Sequence, residues 1–399
     1  MSFDWYRRAN ECIAQGSLTN SKRLECFVKG VYPSHAIKGQ GAKLKCVDGK
    51  WYLDFLGALG TNLFGYANPH INQAVIAQLS DGTLFSLGST LEVDCGELVQ
   101  GTVPFVKKVR FLKDGSGACT AALRISRAHT GRKRVLSSGY HGWHDGFASL
   151  ALPAIGVPED PNIESLVDFS QIKSDIAAVI VEPILTDYSE RRLQWLTELV
   201  RKCRVNGTLV IFDEVITGFR WPGVTFSRDS GIHPDIICLG KAMGGGLPLS
   251  CVGLAEHIGD GKEWFVSSTF AGDTTALAAF KKTHEILRNV YKIQDLWREG
   301  GYFLEEFNAI WPERIKLEGY PTRSIFVGDE LTRALFCQEA CKAGILLHPV
   351  SFFFGFQHIE YRQSTISTFK DILLRIRNNQ VKLEGEMPAS PFSQKVRAA

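Results

Sequence analysis

The sequence predicts an α/β fold, in which a mostly parallel β-sheet is covered by helices on both faces and a smaller α+β domain draws on both chain ends. Apolar, strand-like runs recur through the middle of the chain, at 109–112, 134–138, 177–183, 208–214, 235–240 and 250–255. Helical patterns with one apolar face lie between them, and that alternation belongs to parallel sheets buried on both sides. The chain has 399 residues, 45% hydrophobic and 22% charged, which allows a large core and, on length alone, about two to three domains.

From the N-terminus onward, "MSFDWYRRANECIAQGS" is charged and lacks a continuous apolar core, so no secretory signal is expected. "AKLKCVDGKWYLDFLG" (42–57) sets two β-rich runs around Asp48-Gly49 and predicts a hairpin. "NPHINQAVIAQLSDG" carries apolar residues at helical spacing, with Gly82 near the helix end. "GRKR" (131–134) reads as a solvated helix end, because a net charge of +3 is too small to argue for nucleic acid or an anionic membrane. "SERRLQWLTELVRKCRVNG" puts Leu193, Leu196, Leu199, Val200 and Cys203 on one helix face and stops at Gly207. Beyond about residue 275 the pattern is helical, then mixed, and the polar tail "EGEMPASPFSQKVRAA" reads as weakly ordered. The expected organisation is an N-terminal segment 1–55 packing with the small domain, a large domain 56–275 and a C-terminal small domain 276–399.

The ten cysteines include no C-x-x-C pair and no His/Cys cluster at ligand spacing. Cys337 and Cys341 share a predicted helix without a second pair beside them. Reduced thiols, no metal and a cytoplasmic location are therefore expected. No apolar stretch is long enough to span a bilayer.

In open parallel sheets, ligands sit beyond the carboxyl ends of the strands. Those ends here carry Asp114-Gly115-Ser116, Tyr140-His141, Glu182, Asp213 and Lys241. Gly115 and Ser116 open a predicted helix, and such a start can bind an anion through its free backbone N–H groups or be an ordinary cap. "GSGACT" lacks the third glycine of a dinucleotide fingerprint, and no G-x-x-x-x-G-K-[ST] loop surrounds Lys241 or Lys262. Asp213 follows a run of uncharged residues, where a partly buried carboxylate needs a positive or hydrogen-bonding partner. Lys241 ends the next strand and precedes Gly244-Gly245-Gly246, which leaves a surface charge, a phosphate ligand or a nucleophile as its options. Pyridoxal phosphate chemistry requires a lysine to form an imine, an acid to keep the pyridine nitrogen protonated, an anion site and a ring-packing aromatic. The strand ends supply one of each.

The segments "DGKWYLDF", "VRFLKDGSGACTAALRISRAHTGR", "GYHGWHDG", "VIVEP", "FDEVITGFR", "PDIICLGKAMGGGLPLS" and "STFAGDTTALAA" together resemble the class III (subgroup II) aminotransferases. Within them the chain is most similar to the glutamate-1-semialdehyde 2,1-aminomutase branch, over about residues 30–290. The resemblance implies a fold-type I pyridoxal-phosphate-dependent transferase with a seven-stranded sheet. It implies an aminotransferase that exchanges an amino group between an amino donor and a small carbonyl compound, or an aminomutase or epimerase using the same site. It implies Lys241 as the imine lysine, Asp213 as the pyridinium partner, Val215 and Tyr140 on the two ring faces, and Gly115 and Ser116 at the phosphate. His141 and Glu182 would stand near the cofactor, and Thr269 would reach the phosphate of a neighbouring subunit, which implies a homodimer.

Some residues depart from the family. Its phosphate loop commonly reads Ser-Gly-Thr-Glu-Ala, whereas this chain has Asp114-Gly115-Ser116-Gly117-Ala118. His35 aligns with the aminomutase arginine that holds a substrate carboxylate, and a histidine gives weaker, pH-dependent charge. Ala58 replaces a polar residue, and the segment after "HGWHDG" is compact. These departures point to a less anionic carbonyl substrate, a sugar or a biosynthetic aldehyde or ketone, unless Arg220 of "GFR" supplies the carboxylate contact. Arg220 reads equally well as a structural ion-pair partner.

Overall fold

The computed structural model describes residues 2–150, 156–258 and 264–390. Lys262, part of the segment after "HGWHDG" and the end of the polar tail lie outside the described residues. The chain divides into two compact units, Met1–Asn68 with Gln294–Pro391, and one built on Pro69–Ile293. Residues 56–68 thus group with the N-terminal segment, and residues 276–293 with the sheet-bearing unit.

The first unit opens with helix α1 (Ser2–Cys12) and strands β1 (Ala36–Gln40), β2 (Lys43–Cys46) and β3 (Trp51–Asp54). The hairpin read from Asp48-Gly49 joins β2 to β3. Gly49 takes φ 86 there, and Asp48 accepts N–H of Lys50 at 3.1 Å and the Tyr52 hydroxyl at 2.5 Å. A turn needing positive φ and a side-chain acceptor selects these residue types.

The second unit carries α2 (Pro69–Asp81), α3 (Thr90–Thr102), β4 (Val106–Leu112), α4 (Gly115–Thr130), β5 (Arg134–Ser138), β6 (Ile163–Ser165) and β7 (Ile176–Val181). It continues through α5 (Glu190–Val205), β8 (Leu209–Asp213), β9 (Ile236–Leu239), β10 (Ser250–Ala255) and α6 (Thr274–Asn289). Its seven strands lie in the order β4-β10-β9-β8-β7-β5-β6. Pairings among β6, β5, β7, β8 and β9 are parallel, and β10 runs antiparallel to both neighbours. All residues of β7, β8, β9 and β10 are buried, as expected of strands covered on both faces. On α5, Leu196, Leu199, Val200 and Cys203 are buried and Leu193 is partly so. The "GRKR" stretch is more than a solvated end: Arg132 donates to the Ile176, Asn206 and Gly207 carbonyls, and Arg134 pairs with Glu164 and Asp175.

The chain closes the first unit with α7 (Ile293–Asn308), β11 (Ile315–Tyr320), β12 (Arg323–Gly328), α8 (Glu330–Lys342), β13 (Ile345–Leu346), β14 (Ser351–Phe353) and α9 (Arg362–Arg377). β13 extends the β1-β2-β3 sheet, while β11, β12 and β14 form a second one. Phe55 stacks on Phe352 at 4.8 Å, within an aromatic core that includes Phe303, Phe354 and Phe369.

The strand directions decide where the site lies. β5, β7, β8 and β9 run the same way, and the two antiparallel steps through β10 turn β4 to match. Their carboxyl ends therefore share one edge, which brings Asp114, Tyr140, Glu182, Asp213 and Lys241 to one side of the sheet.

Candidate active site

Asp213, the last residue of β8, is 7% exposed. Its Oδ2 faces His141 Nδ1 at 2.8 Å and accepts from the Cys119 thiol at 3.4 Å, while its Oδ1 accepts N–H of Val215 at 3.1 Å. The second nitrogen of His141, Nε2, lies 3.1 Å from the Ser138 carbonyl. Each ring nitrogen thus faces an oxygen of the protein. The Cys119 thiol is pushed well up by the adjacent Cys238 thiol, burial and Asp213, so it stays protonated and donates. Sequence reasoning missed Cys119 and Cys238 because each is an isolated small apolar position on its own element.

The Tyr140–Trp143 loop packs on the first turn of α4. A Cβ added at Gly142 would come 2.3 Å from Ser116 Oγ, and N–H of Trp143 donates to that oxygen at 3.3 Å. Glu182 Oε1 accepts N–H of Tyr140 at 3.0 Å, so this acid fixes the loop that carries the aromatic. The Tyr140 ring is half exposed. Val215 crowds the glycine at the head of α4: a Cβ on Gly115 would meet Val215 Cγ1 at 2.8 Å.

Lys241 follows β9 and Gly240 directly, is half-buried and has φ 45. A non-glycine residue in the left-handed region is strained, and such strain persists where the surroundings impose it, commonly at functional sites. Gly245 and Gly246, at φ 58 and 99, then turn the chain back toward β10. Glu214, which sequence reasoning also missed, is fully buried and accepts N–H of Phe226 at 2.6 Å, N–H of Ser227 at 2.8 Å and the Thr217 hydroxyl at 2.9 Å. Burial pushes its carboxyl above the usual range against those donors. It anchors the loop leaving β8, which includes Arg220, only 1% exposed.

Gly115, Ser116, Tyr140, His141, Glu182, Asp213, Val215 and Lys241 therefore gather on one sheet edge. Thr269 belongs to a different place on the same unit. It is exposed and lines a cavity of about 480 Å³ with Leu84, Phe85, Leu87, Glu92 and Arg110. His35 lies in the first unit, where it lines a cavity of about 470 Å³ with Tyr6, Lys22, Asp54, Ala58 and Tyr66. Asp54 is buried there and accepts from the Tyr66 hydroxyl and from N–H of Leu56 and Gly57. Cys119, His141 and Asp213 form a potential metal-ligand group among the described residues, and their mutual hydrogen bonds account for the arrangement.

A family model described as aminotransferase class-III matches residues 29–160 and 156–351. A glutamate-1-semialdehyde 2,1-aminomutase from Thermomicrobium roseum is 33% identical over 336 residues, 76% of this chain and 76% of its own. Among solved structures, the FumI protein of Sphingopyxis sp. MTA144, in a PLP-bound form, superposes with TM-score 0.85 at 23% identity, covering 97% of this chain and 98% of its own. A glutamate-1-semialdehyde aminomutase variant from Pseudomonas aeruginosa PAO1 superposes with TM-score 0.80 at 19% identity, covering 93% and 94%. At these identities the two structures speak for the fold alone.

Proposed function

The chain belongs to the class-III aminotransferase family and is a pyridoxal-phosphate-dependent enzyme; on that premise we propose that Lys241 and Asp213 are the centre of its active site. The proposed reaction moves an amino group from an amino donor to a small carbonyl compound, a sugar or a biosynthetic aldehyde or ketone. The observation that carries the proposal is Asp213, buried, ringed by donors and sharing a sheet edge with the strained Lys241.

The residues fit the cofactor. A carboxylate held by His141, Cys119 and Val215 suits a protonated pyridine nitrogen, Gly115 and Ser116 offer backbone N–H groups at a helix start, and Val215 and Tyr140 offer two packing surfaces. When bound, pyridoxal phosphate supplies an electron sink for the substrate carbon and a carbon that carries nitrogen. Lys241 would hold the cofactor through its ε-amine, and its free amine would move the proton at the substrate Cα. Lysine's ordinary pKa of about 10.4 requires desolvation or nearby positive charge to favour the free amine for that step. Asp213 would keep the pyridine nitrogen protonated, and His141 and Cys119 hold Asp213 in place. Glu182 positions Tyr140 through its backbone. Arg220, given its burial, is assigned a structural role.

The substrate reading rests on His35 and Ala58, which replace an arginine and a polar residue of the aminomutase branch and favour a less anionic substrate. A second reading, favoured by the 33% identity to the aminomutase of T. roseum, returns nitrogen to another carbon of the same molecule, as an aminomutase or epimerase does. Purified holoenzyme with single amino donors separates the two. Transamination predicts keto-acid release stoichiometric with enzyme, and repeated turnover only once an aldehyde or ketone is added. Sustained turnover of one compound with no acceptor would overturn the first reading in favour of the second. A cytoplasmic location is proposed from the free state of all ten cysteines. A homodimer is proposed as well, with Thr269 serving the partner's cofactor phosphate.

A further inference from the structure

Asp114 is a family departure that the proposed reaction does not use. It precedes Gly115 and Ser116, the residues expected to hold the cofactor phosphate, and it is the N-cap of α4. Its Oδ1 accepts N–H of Gly117 at 2.6 Å, so the carboxylate lies across the first turn of the helix. The residue is pinned from its other side too, because the Ser250 hydroxyl donates to the Asp114 carbonyl at 2.6 Å. The adjacent cation does not offset it: Lys113 is paired with Asp273 at 2.8 Å.

A helix N-terminus carries roughly half a positive charge and several free N–H groups, the features that attract a phosphate. In this chain the Asp114 side chain already takes the N–H of Gly117 and sets a negative charge beside those of Gly115 and Ser116. We propose that Asp114 is a built-in competitor of the cofactor phosphate, loosening the phosphate's hold so that the cofactor exchanges readily and the enzyme's loading follows cofactor supply. The inference rests on the cofactor reading above. Ser116 supports the attractive side of the balance: its oxygen accepts from Trp143, which leaves its hydroxyl proton for the phosphate. Asp114 is exposed, so solvent and salt screen its charge and the effect is moderate.

The variant Asp114→Asn separates charge from structure, because asparagine caps helices about as well as aspartate but carries no charge. Apoenzymes of wild type and variant are titrated with pyridoxal phosphate and with pyridoxal, which lacks the phosphate, at low and high salt. Asp114→Asn is expected to bind pyridoxal phosphate about three- to tenfold more tightly at low salt, with the gain shrinking at high salt and pyridoxal affinity unchanged. Equal or weaker binding of pyridoxal phosphate by a folded variant would overturn the inference, as would an equal shift for pyridoxal. If wild-type apoenzyme binds neither compound, the cofactor reading itself falls, and this inference with it.

Discussion

Asp213 receives three donors from its own chain, His141, Cys119 and Val215. A carboxylate offers about four acceptor directions, so one remains for a pyridine N–H. Two of the three donors meet the same oxygen, Oδ2, and an asparagine at this position keeps its carbonyl oxygen on them only by turning its NH₂ toward the N–H of Val215. Asp213→Asn also removes the charge that keeps the pyridine nitrogen protonated. The variant is expected to retain bound cofactor while kcat falls by roughly a hundredfold or more, read by steady-state kinetics alongside cofactor content. A kcat within twofold of wild type would remove Asp213 from its assigned role.

Helices α2 and α3 and the segment 264–272 show what element-level patterns conceal. The apolar spacing of α2 predicts a helix, and Ile71 is buried, yet Ile76 and Leu79 are 64% and 53% exposed. Val93 on α3 and Phe265 and Phe270 near Thr269 are 62%, 79% and 59% exposed. Helical periodicity reports an apolar face but not whether the same chain or a second copy covers it. The proposed homodimer would cover part of this exposed apolar surface, and Phe270 adjoins Thr269, the residue proposed to serve the partner's cofactor phosphate. Sedimentation equilibrium is therefore expected to give about twice the 44.3 kDa chain mass at micromolar concentration, with Phe270→Glu shifting the protein toward monomer. A wild-type monomer under those conditions would contradict the dimer.

Across the whole molecule, the sheet-bearing unit was legible because its strands are buried on both faces and leave long apolar runs. The strand-end rule then picked out Asp213 and Lys241 without any knowledge of pairing. The antiparallel placement of β10 between β4 and β9 was hidden, since a buried antiparallel strand has the same composition as a parallel one. The Cys119–Asp213–His141 network was hidden as well, because its members sit on three elements joined only by folding. Lys241's positive φ leaves no mark in composition, although the glycines after it hinted at a sharp turn. Lys241 is proposed as the residue joined to the cofactor. Borohydride reduction of the loaded enzyme, followed by peptide mass spectrometry, tests it directly. The cofactor mass is expected on the peptide containing Lys241, with none on any peptide of the Lys241→Ala variant; stoichiometric labelling of a different lysine would contradict the assignment.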